Sequence, residues 1–320
     1  MAGMVVMQTM EPPDQNDPPE PLTPAHPLPH GVLPVQAQRS EPSFTLTRET
    51  VTFGDLVSQA STAWQRDVGT WVLATVFVLL IGFGIPLVLG LVVGILGALL
   101  SGGDPHPAAK AIMTGLQVGV QILQTVVQGV LALGFWAMAI HALHGRPAPI
   151  GALFSQINKA VKYILQVLAI WIPLGAVFGA IGAAVFFLSV GSIDLDMPLE
   201  DAFETAAPAL SIFLLVSIPI YVYIFLGILF AQPELTYNDR AGPIEAVVYS
   251  WRIARKRRWL VLGVAIVSGL IGMGSILFCG IGFLFGGPLA TLIMAALYLA
   301  LRNGADVPSA DTGSTLDRAY

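Results

Sequence analysis

Charge is what this sequence has least of. Only 11% of its residues are Asp, Glu, Lys or Arg, against about 25% in an ordinary soluble domain. Past residue 70 the deficit becomes complete over five stretches: residues 71–100, 111–140, 163–190, 209–231 and 259–301 hold no charged side chain at all. With hydrophobic residues at 55% of the chain, this excludes a soluble domain and implies a membrane protein. A hydrocarbon core of about 30 Å takes about 20 helical residues to cross. The last stretch is long enough for two spans, and the four glycines and one proline in 280–288 predict the break between them. Six transmembrane helices result.

Cysteine is the second scarcity. A single residue, Cys279, excludes an internal disulfide and leaves the redox compartment unspecified. The opening "MAGMVVMQTM" also lacks a basic stretch ahead of its short apolar patch, which runs directly into prolines. It does not read as a signal peptide, and it offers neither a Met-Gly start nor a cysteine for lipid attachment.

The few charges are unevenly placed. With six spans and a cytoplasmic N-terminus, fourteen of the fifteen Lys and Arg residues fall inside and only Lys110 falls outside, as the positive-inside rule requires. The loop between the third and fourth spans, "GSIDLDMPLEDAFETAAP", is purely acidic and falls outside. The expected location is the cell inner (cytoplasmic) membrane, multi-pass, with both termini cytoplasmic. Arg252, Arg255, Lys256, Arg257 and Arg258, in "RAGPIEAVVYSWRIARKRRW" (240–259), are the densest cluster. They fix that end of the fifth span in the cytoplasm. They are also candidate contacts for anionic phospholipid head groups, at about 1 kcal/mol each near the surface.

Residues 1–43 carry ten prolines and no periodic apolar face, so they are expected to form a disordered cytoplasmic tail. An extended spacer is preferred over a ligand for an SH3-like partner. A membrane domain follows over 44–302, and 303–320 reads as a short polar tail.

Within the membrane domain one pattern recurs. Ile150, Leu153, Phe154 and Ile157 follow Arg146 and Pro149, just as Ile244, Val247, Val248 and Trp251 follow Arg240 and Pro243. A third copy sits at Phe53, Leu56, Val57 and Ala60, where "GDLVSQ" parallels the "GALFSQ" of 151–156. The spacing of 0, +3, +4, +7 is that of an amphipathic helix, with Thr52, Pro149 or Pro243 placed to start it. Two apolar spans follow each copy. The expected fold is therefore an all-α polytopic helical bundle of six transmembrane helices. It is arranged as three parallel repeats (about 51–143, 146–233 and 240–302), each an interfacial amphipathic helix plus a helical hairpin. Mitochondrial carriers also have three such repeats, but their signature of proline, acidic residue and basic residue is absent around Pro86, Pro173 and Pro288.

The closing unit carries Pro243 with Glu245-Ala246, Ser250-Trp251, Trp259, "CGIG" at 279–282, Pro288-Leu289 and Tyr298. It resembles the YciC-like and related bacterial integral membrane proteins, including the membrane domain attached to some glycerophosphodiester phosphodiesterases. "FGDLVSQASTAWQRDVGTW" at 53–71 resembles their opening unit. The resemblance covers about 44–302 and implies a multi-pass helical fold of unsettled function. The phosphodiesterase domain is missing from this sequence, so its chemistry is not implied.

The most organised polar feature inside a span is Gln117, Gln121, Gln124 and Gln128, with Thr114 and Thr125 close by. Their 4, 3, 4 spacing makes one stripe on the second span. Interhelical hydrogen bonding, typically about 0.6 kcal/mol per bond and up to about 2, is preferred over the wall of a solute path, because intramembrane charge is absent. His141 and His144 read as interfacial side chains, since no other ligand type lies near them. The acidic loop matches no calcium loop. Gly90/Gly94, Gly115/Gly119 and Gly175/Gly179/Gly182 are expected to let helices pack closely, and Pro86, Pro173 and Pro219 to kink theirs.

No catalytic triad, carboxylate pair, phosphate-cradling loop or metal motif stands out. The expectation is a protein that is not an enzyme and uses no cofactor. Its partners would be the lipid bilayer and anionic phospholipid head groups, with no nucleic acid. The role would be membrane organisation or envelope maintenance. The alternative is a channel or facilitator for a small solute, lined by the glutamine stripe.

Overall fold

A computed structural model describes residues 44–100, 107–190, 199–277 and 281–312. The expected tail over 1–43, Asp194, Asp196, Cys279, the side chains of Glu200, Asp201 and Glu204, and residues 313–320 lie outside the described set. Among the described residues there are helices and turns and no strand. In chain order the α-helices are α1 (Phe53–Arg66), α2 (Val68–Leu100), α3 (Pro107–Leu143), α4 (Ala160–Val190), α5 (Leu199–Ile228), α6 (Ala231–Tyr237), α7 (Pro243–Ala254), α8 (Arg258–Leu277) and α9 (Phe283–Arg302). Among the described residues, six segments are long and apolar enough to cross a membrane: Val68–Leu99, Lys110–Leu143, Ile150–Val185, Ser211–Tyr237, Arg258–Leu277 and Phe283–Arg302.

The helix starts are written locally. Thr52 caps α1: its hydroxyl accepts the Asp55 N–H at 3.3 Å, and the Asp55 carboxylate accepts the Thr52 N–H at 3.0 Å and the Thr52 hydroxyl at 2.6 Å. These donors hold the Asp55 carboxyl below its usual range. At α7, Pro243 occupies the first turn, where its missing N–H costs nothing, and Glu245 accepts the Gly242 N–H at 2.9 Å.

The middle copy of the expected amphipathic helix is corrected. Residues Ile150–Leu153 and Ile157–Lys159 form two short 3₁₀ turns, and the α-helix begins only at Ala160. The Ser155 hydroxyl donates to the Ala152 carbonyl at 2.8 Å, competing with the helical ladder. The turn is pressed against α3 at Gly134, where a Cβ would fall on the backbone of Leu153. The other two copies do form α-helices but turn different faces inward. Leu56, Ala60 and Ala63 are buried on α1, whereas α7 buries Ala246, Ser250, Ile253 and Ala254 and leaves Ile244 and Val248 67% and 42% exposed.

Among the described residues α8 ends at Leu277 and α9 begins at Phe283, with a turn at 281–282, inside the expected 280–288. Gly286 and Pro288 lie inside α9. A Cβ at Gly286 would overlap Ser275 of α8, so this glycine serves the close approach of the two helices and not the turn. The stripes Gly90/Gly94, Gly115/Gly119 and Gly175/Gly179 meet nothing within 4 Å, and Gly182 has only the Phe213 ring at 3.8 Å. The close packing expected of them is not formed among the described residues.

α9 sits at the centre. Its residues 295–301 are buried, and it packs against α1, α2, α3, α7 and α8. Trp71, Met138, Ile140, Phe230, Leu292 and Tyr298 fill the core around it. α8 and α9, at 20 residues each, are about 30 Å long and match a hydrocarbon core. α2 to α5 run 30 to 37 residues, about 45 to 55 Å, so the first two hairpins outreach the third.

Candidate functional site

The sequence "AQPELTYND", which reads as the run-out of the fourth span, organises a buried polar layer. The fourth span stops at Ile228 and restarts as α6. Ser250 of α7 fills the gap: its hydroxyl donates to the Gly227 carbonyl at 2.7 Å and accepts the Phe230 N–H at 3.0 Å. A break in an apolar helix is tolerable only when the freed backbone groups find such partners.

α6 carries Glu234, fully buried, into the centre of the bundle. Its carboxylate accepts four hydrogen bonds: Arg302 Nε at 2.8 Å, Arg302 Nη2 at 3.0 Å, the Tyr298 hydroxyl at 2.7 Å and Asn238 Nδ2 at 3.1 Å. The Arg302 guanidinium also lies 5.4 Å from the centre of the Tyr237 ring. A second cation closes the C-terminal end of α6. Lys159 Nζ, also buried, donates to the carbonyls of Leu235 and Thr236 at 2.9 and 2.7 Å and pairs with Asp239 at 2.7 Å. Lys162 donates to the carbonyls of Asp239 and Ala241 at 3.0 and 3.3 Å. Lys159 therefore serves the orphan carbonyls at the end of α6, where the helix dipole favours positive charge, and Lys162 serves the carbonyls of the turn that follows.

Residues 303–312, the described part of the short polar tail expected over 303–320, dock on this layer. Arg302 Nη2 donates to the Pro308 carbonyl at 3.0 Å, Asp311 pairs with Arg240 at 2.8 Å, and the Asp239 N–H bonds the Asp311 carbonyl at 3.0 Å. The N-terminal segment joins from the other side, with Arg48 N–H bonded to the Asn303 carbonyl and Asn303 Nδ2 to the Leu46 carbonyl.

Residues of α3, α4, α5 and α6 line a cleft of about 370 Å³. Its lining includes the polar side chains Tyr163, Gln166 and Gln232 beside Trp136, Ile170, Trp171, Leu174, Tyr221 and Phe225. Tyr163 reaches the cleft across Gly129, where a Cβ would overlap its ring. A smaller cleft of about 210 Å³ lies between α2, α3 and α9, with Thr75, Gln128 and Thr291 as its polar lining.

The residues singled out from sequence do not form one site. Gln117, Gln121 and Gln128 are exposed on α3 and Gln124 is half-buried, and none of the four makes a side-chain hydrogen bond to another helix among the described residues. The basic cluster divides. Arg252, Arg255 and Lys256 are exposed. Arg257 Nη2 donates to the Glu49 carbonyl at 3.1 Å, and the Arg258 guanidinium lies 3.7 Å from the Tyr223 ring centre and 4.5 Å from that of Trp251. His141 is buried, and His144 stacks on Tyr237 at 6.0 Å.

Compared with known proteins, the chain matches no family model, no curated protein and no solved structure. The polar layer around Glu234 is what sequence reasoning missed. Its one legible signal is an acidic residue directly after an apolar span, in a chain whose last span ends on Arg302.

Proposed function

We propose that the chain is a non-catalytic inner-membrane protein that organises the membrane by holding anionic lipids at one rim of the bundle, a role in membrane organisation or envelope maintenance. One observation carries this. Arg252, Arg255 and Lys256 are exposed at the junction of α7 and α8, and Trp259 beside them is 85% exposed. An exposed indole next to three unburied cations is the pairing that anchors a protein at the head-group level, since the ring takes the interface while the cations attract anionic lipid. In this reading the rim faces the cytoplasm and both termini lie there. The three-unit organisation also belongs to this reading, supported by the recurring order of a short segment before each hairpin: α1 before α2–α3, the 3₁₀ turns before α4–α5, and α7 before α8–α9. The resemblance to the YciC-like proteins remains a proposal carried by the phrases quoted above.

The test is binding of the detergent-purified protein to nanodiscs of phosphatidylglycerol and of phosphatidylcholine, judged by the number of anionic lipids retained around each copy. Changing Arg252, Arg255 and Lys256 together to Gln should remove about 3 kcal/mol of attraction to the anionic surface and leave retention in phosphatidylcholine unchanged. Equal enrichment of phosphatidylglycerol around the wild type and the triple variant would refute the rim assignment.

A second reading, the solute facilitator, is favoured by a different observation: Gln117, Gln121 and Gln128 are exposed and unbonded across helices, and Gln128 lines the cleft shared with Thr75 and Thr291. Amides in contact with hydrocarbon are costly, so these side chains require water or a further protein surface. Cysteines placed at 117, 121 and 128 in a Cys279→Ser background should react with impermeant thiol reagents if water reaches them. Protection at all three positions eliminates the facilitator.

A further inference from the structure

Arg258 is held differently from the rest of its cluster. It is the first residue of α8, and its guanidinium sits in a corner built by two other helices: Cζ lies 3.7 Å from the ring centre of Tyr223 on α5 and 4.5 Å from that of Trp251 on α7. The two rings meet nearly at right angles, at 79° with their centres 5.6 Å apart. Trp251 is itself pressed on the α5 backbone at Gly227, where a Cβ would overlap its ring. At 3.7 Å the guanidinium plane lies against the Tyr223 face, because an edge-on approach would put a nitrogen between Cζ and the ring. Such stacking satisfies the flat face of an arginine and leaves its in-plane donors to be used.

The described residues do not use them. Arg258 makes no hydrogen bond and no ion pair there, and of its nitrogens only Nε is both buried and unpartnered. Nη1 and Nη2 therefore stay accessible, and the open fork is the end-on pair. Two parallel N–H donors in one plane complement two oxygens of one phosphate or carboxylate. Position decides between these. The uncharged run begins at the next residue, and Trp259 there is 85% exposed, so the fork stands at the level where a bilayer carries its phosphates. On α5 an apolar strip leads away from it. Val216 and Ile220, seven and three residues before Tyr223 and on its face of the helix, are 56% and 44% exposed.

We infer that Arg258, seated on Tyr223 and Trp251, is a site for one anionic phospholipid, its phosphodiester held end-on by Nη1 and Nη2 and an acyl chain lying along Ile220 and Val216. This deepens the rim reading and rests on it. Arg252, Arg255 and Lys256 attract an anionic surface through charge, whereas at Arg258 shape enters, since a lysine has the charge without the fork. Arg255 and Lys256, exposed and just ahead of Arg258 in the chain, add the preference for an anionic head group over a zwitterionic one.

The full-length protein, stripped of lipid in maltoside detergent, is titrated with dioleoylphosphatidylglycerol, and the first lipid bound is followed by native mass spectrometry. Arg258→Lys keeps the charge and loses the fork, and should weaken that binding about tenfold. Tyr223→Leu keeps the arginine and removes its seat, and should weaken it about fivefold. Two variants act on one seat, so poor folding of either leaves the other to decide. Arg252→Lys with Arg255→Lys, the same exchange at the rim, should keep the wild-type affinity. Dioleoylphosphatidylcholine should bind the wild type more weakly, and inorganic phosphate, which lacks the chains, should not displace the bound lipid. Wild-type affinity in a folded Arg258→Lys or Tyr223→Leu protein, an equal loss in the rim lysine pair, equal binding of phosphatidylcholine, or displacement by inorganic phosphate overturns the inference. The rim reading fails separately: if neutralising Arg252, Arg255 and Lys256 removes phosphatidylglycerol enrichment while Arg258→Lys binds as the wild type does, the rim stands and this site falls.

Discussion

Replacing Glu234 by Ala should cost about 3 to 5 kcal/mol, the range for a buried ion pair deprived of one partner. The carboxylate is fully buried and its partner Arg302 nearly so, with side-chain exposures of 0% and 9%. Removing the acceptor leaves the guanidinium in a low-dielectric site where, among the described residues, the Pro308 carbonyl and the Tyr237 ring face are left to meet it. It also strands the Tyr298 hydroxyl and Asn238 Nδ2, each a donor to the lost carboxylate. Removing Arg302 as well, as Glu234→Ala with Arg302→Leu, deletes both charges. The double variant should therefore be less destabilised than the sum of the two single ones, a coupling that a thermodynamic cycle isolates. Thermal unfolding of the detergent-purified protein supplies the four values. Additive losses would mean that Glu234 and Arg302 do not act as a pair. The same measurement reports on the docked 303–312 segment, because Arg302 also holds Pro308.

The contrast between what was legible and what was not follows from how far apart the partners lie in the chain. Spans, helix starts and the final break are written in neighbouring residues: an uncharged run, Thr52 three residues before Asp55, Pro243 behind Gly242, a gathering of glycines near 280. Each acts within a turn or two, so a sequence window contains the whole cause. The polar layer has no such window. Glu234 meets Arg302 68 residues away, and Lys159 meets Leu235 76 residues away. Lys159, Lys162 and Arg302 each have a sufficient local explanation as topology signals at the ends of spans, and nothing in their neighbourhoods says that two of the three are buried or nearly so. The glycines fail in the opposite direction. Small residues spaced four apart are a packing pattern only if a second helix arrives, and whether it arrives is a property of the fold. At Gly115 and Gly119 no other helix does, while Gly134, in no stripe at all, receives the backbone of residue 153.

That contrast gives the second large effect. Gly134→Ala should destabilise the protein by about 3 kcal/mol, at the upper end of what overpacking costs. The added methyl would coincide with the carbonyl, carbon and Cα of Leu153. A side chain in the way can rotate; a backbone cannot, so the 3₁₀ turn must lift off α3 and take the fully buried Leu153 with it. Because that turn leads directly into Lys159, the loss should reach the α6 layer, through the two carbonyl bonds that Lys159 makes there. Gly115→Ala and Gly119→Ala are the controls. They meet nothing within 4 Å and should be neutral or gain up to about 1 kcal/mol from better helix propensity. All three variants change one hydrogen to one methyl on the same helix, so propensity and lipid exposure alone would move them together. Separation of Gly134→Ala from the two controls in unfolding temperature, with earlier protease cleavage at 150–159, is the expected result. If Gly134→Ala unfolds at the wild-type temperature, the turn does not rest on α3, and an amphipathic helix over 150–157 becomes the better description of the second unit.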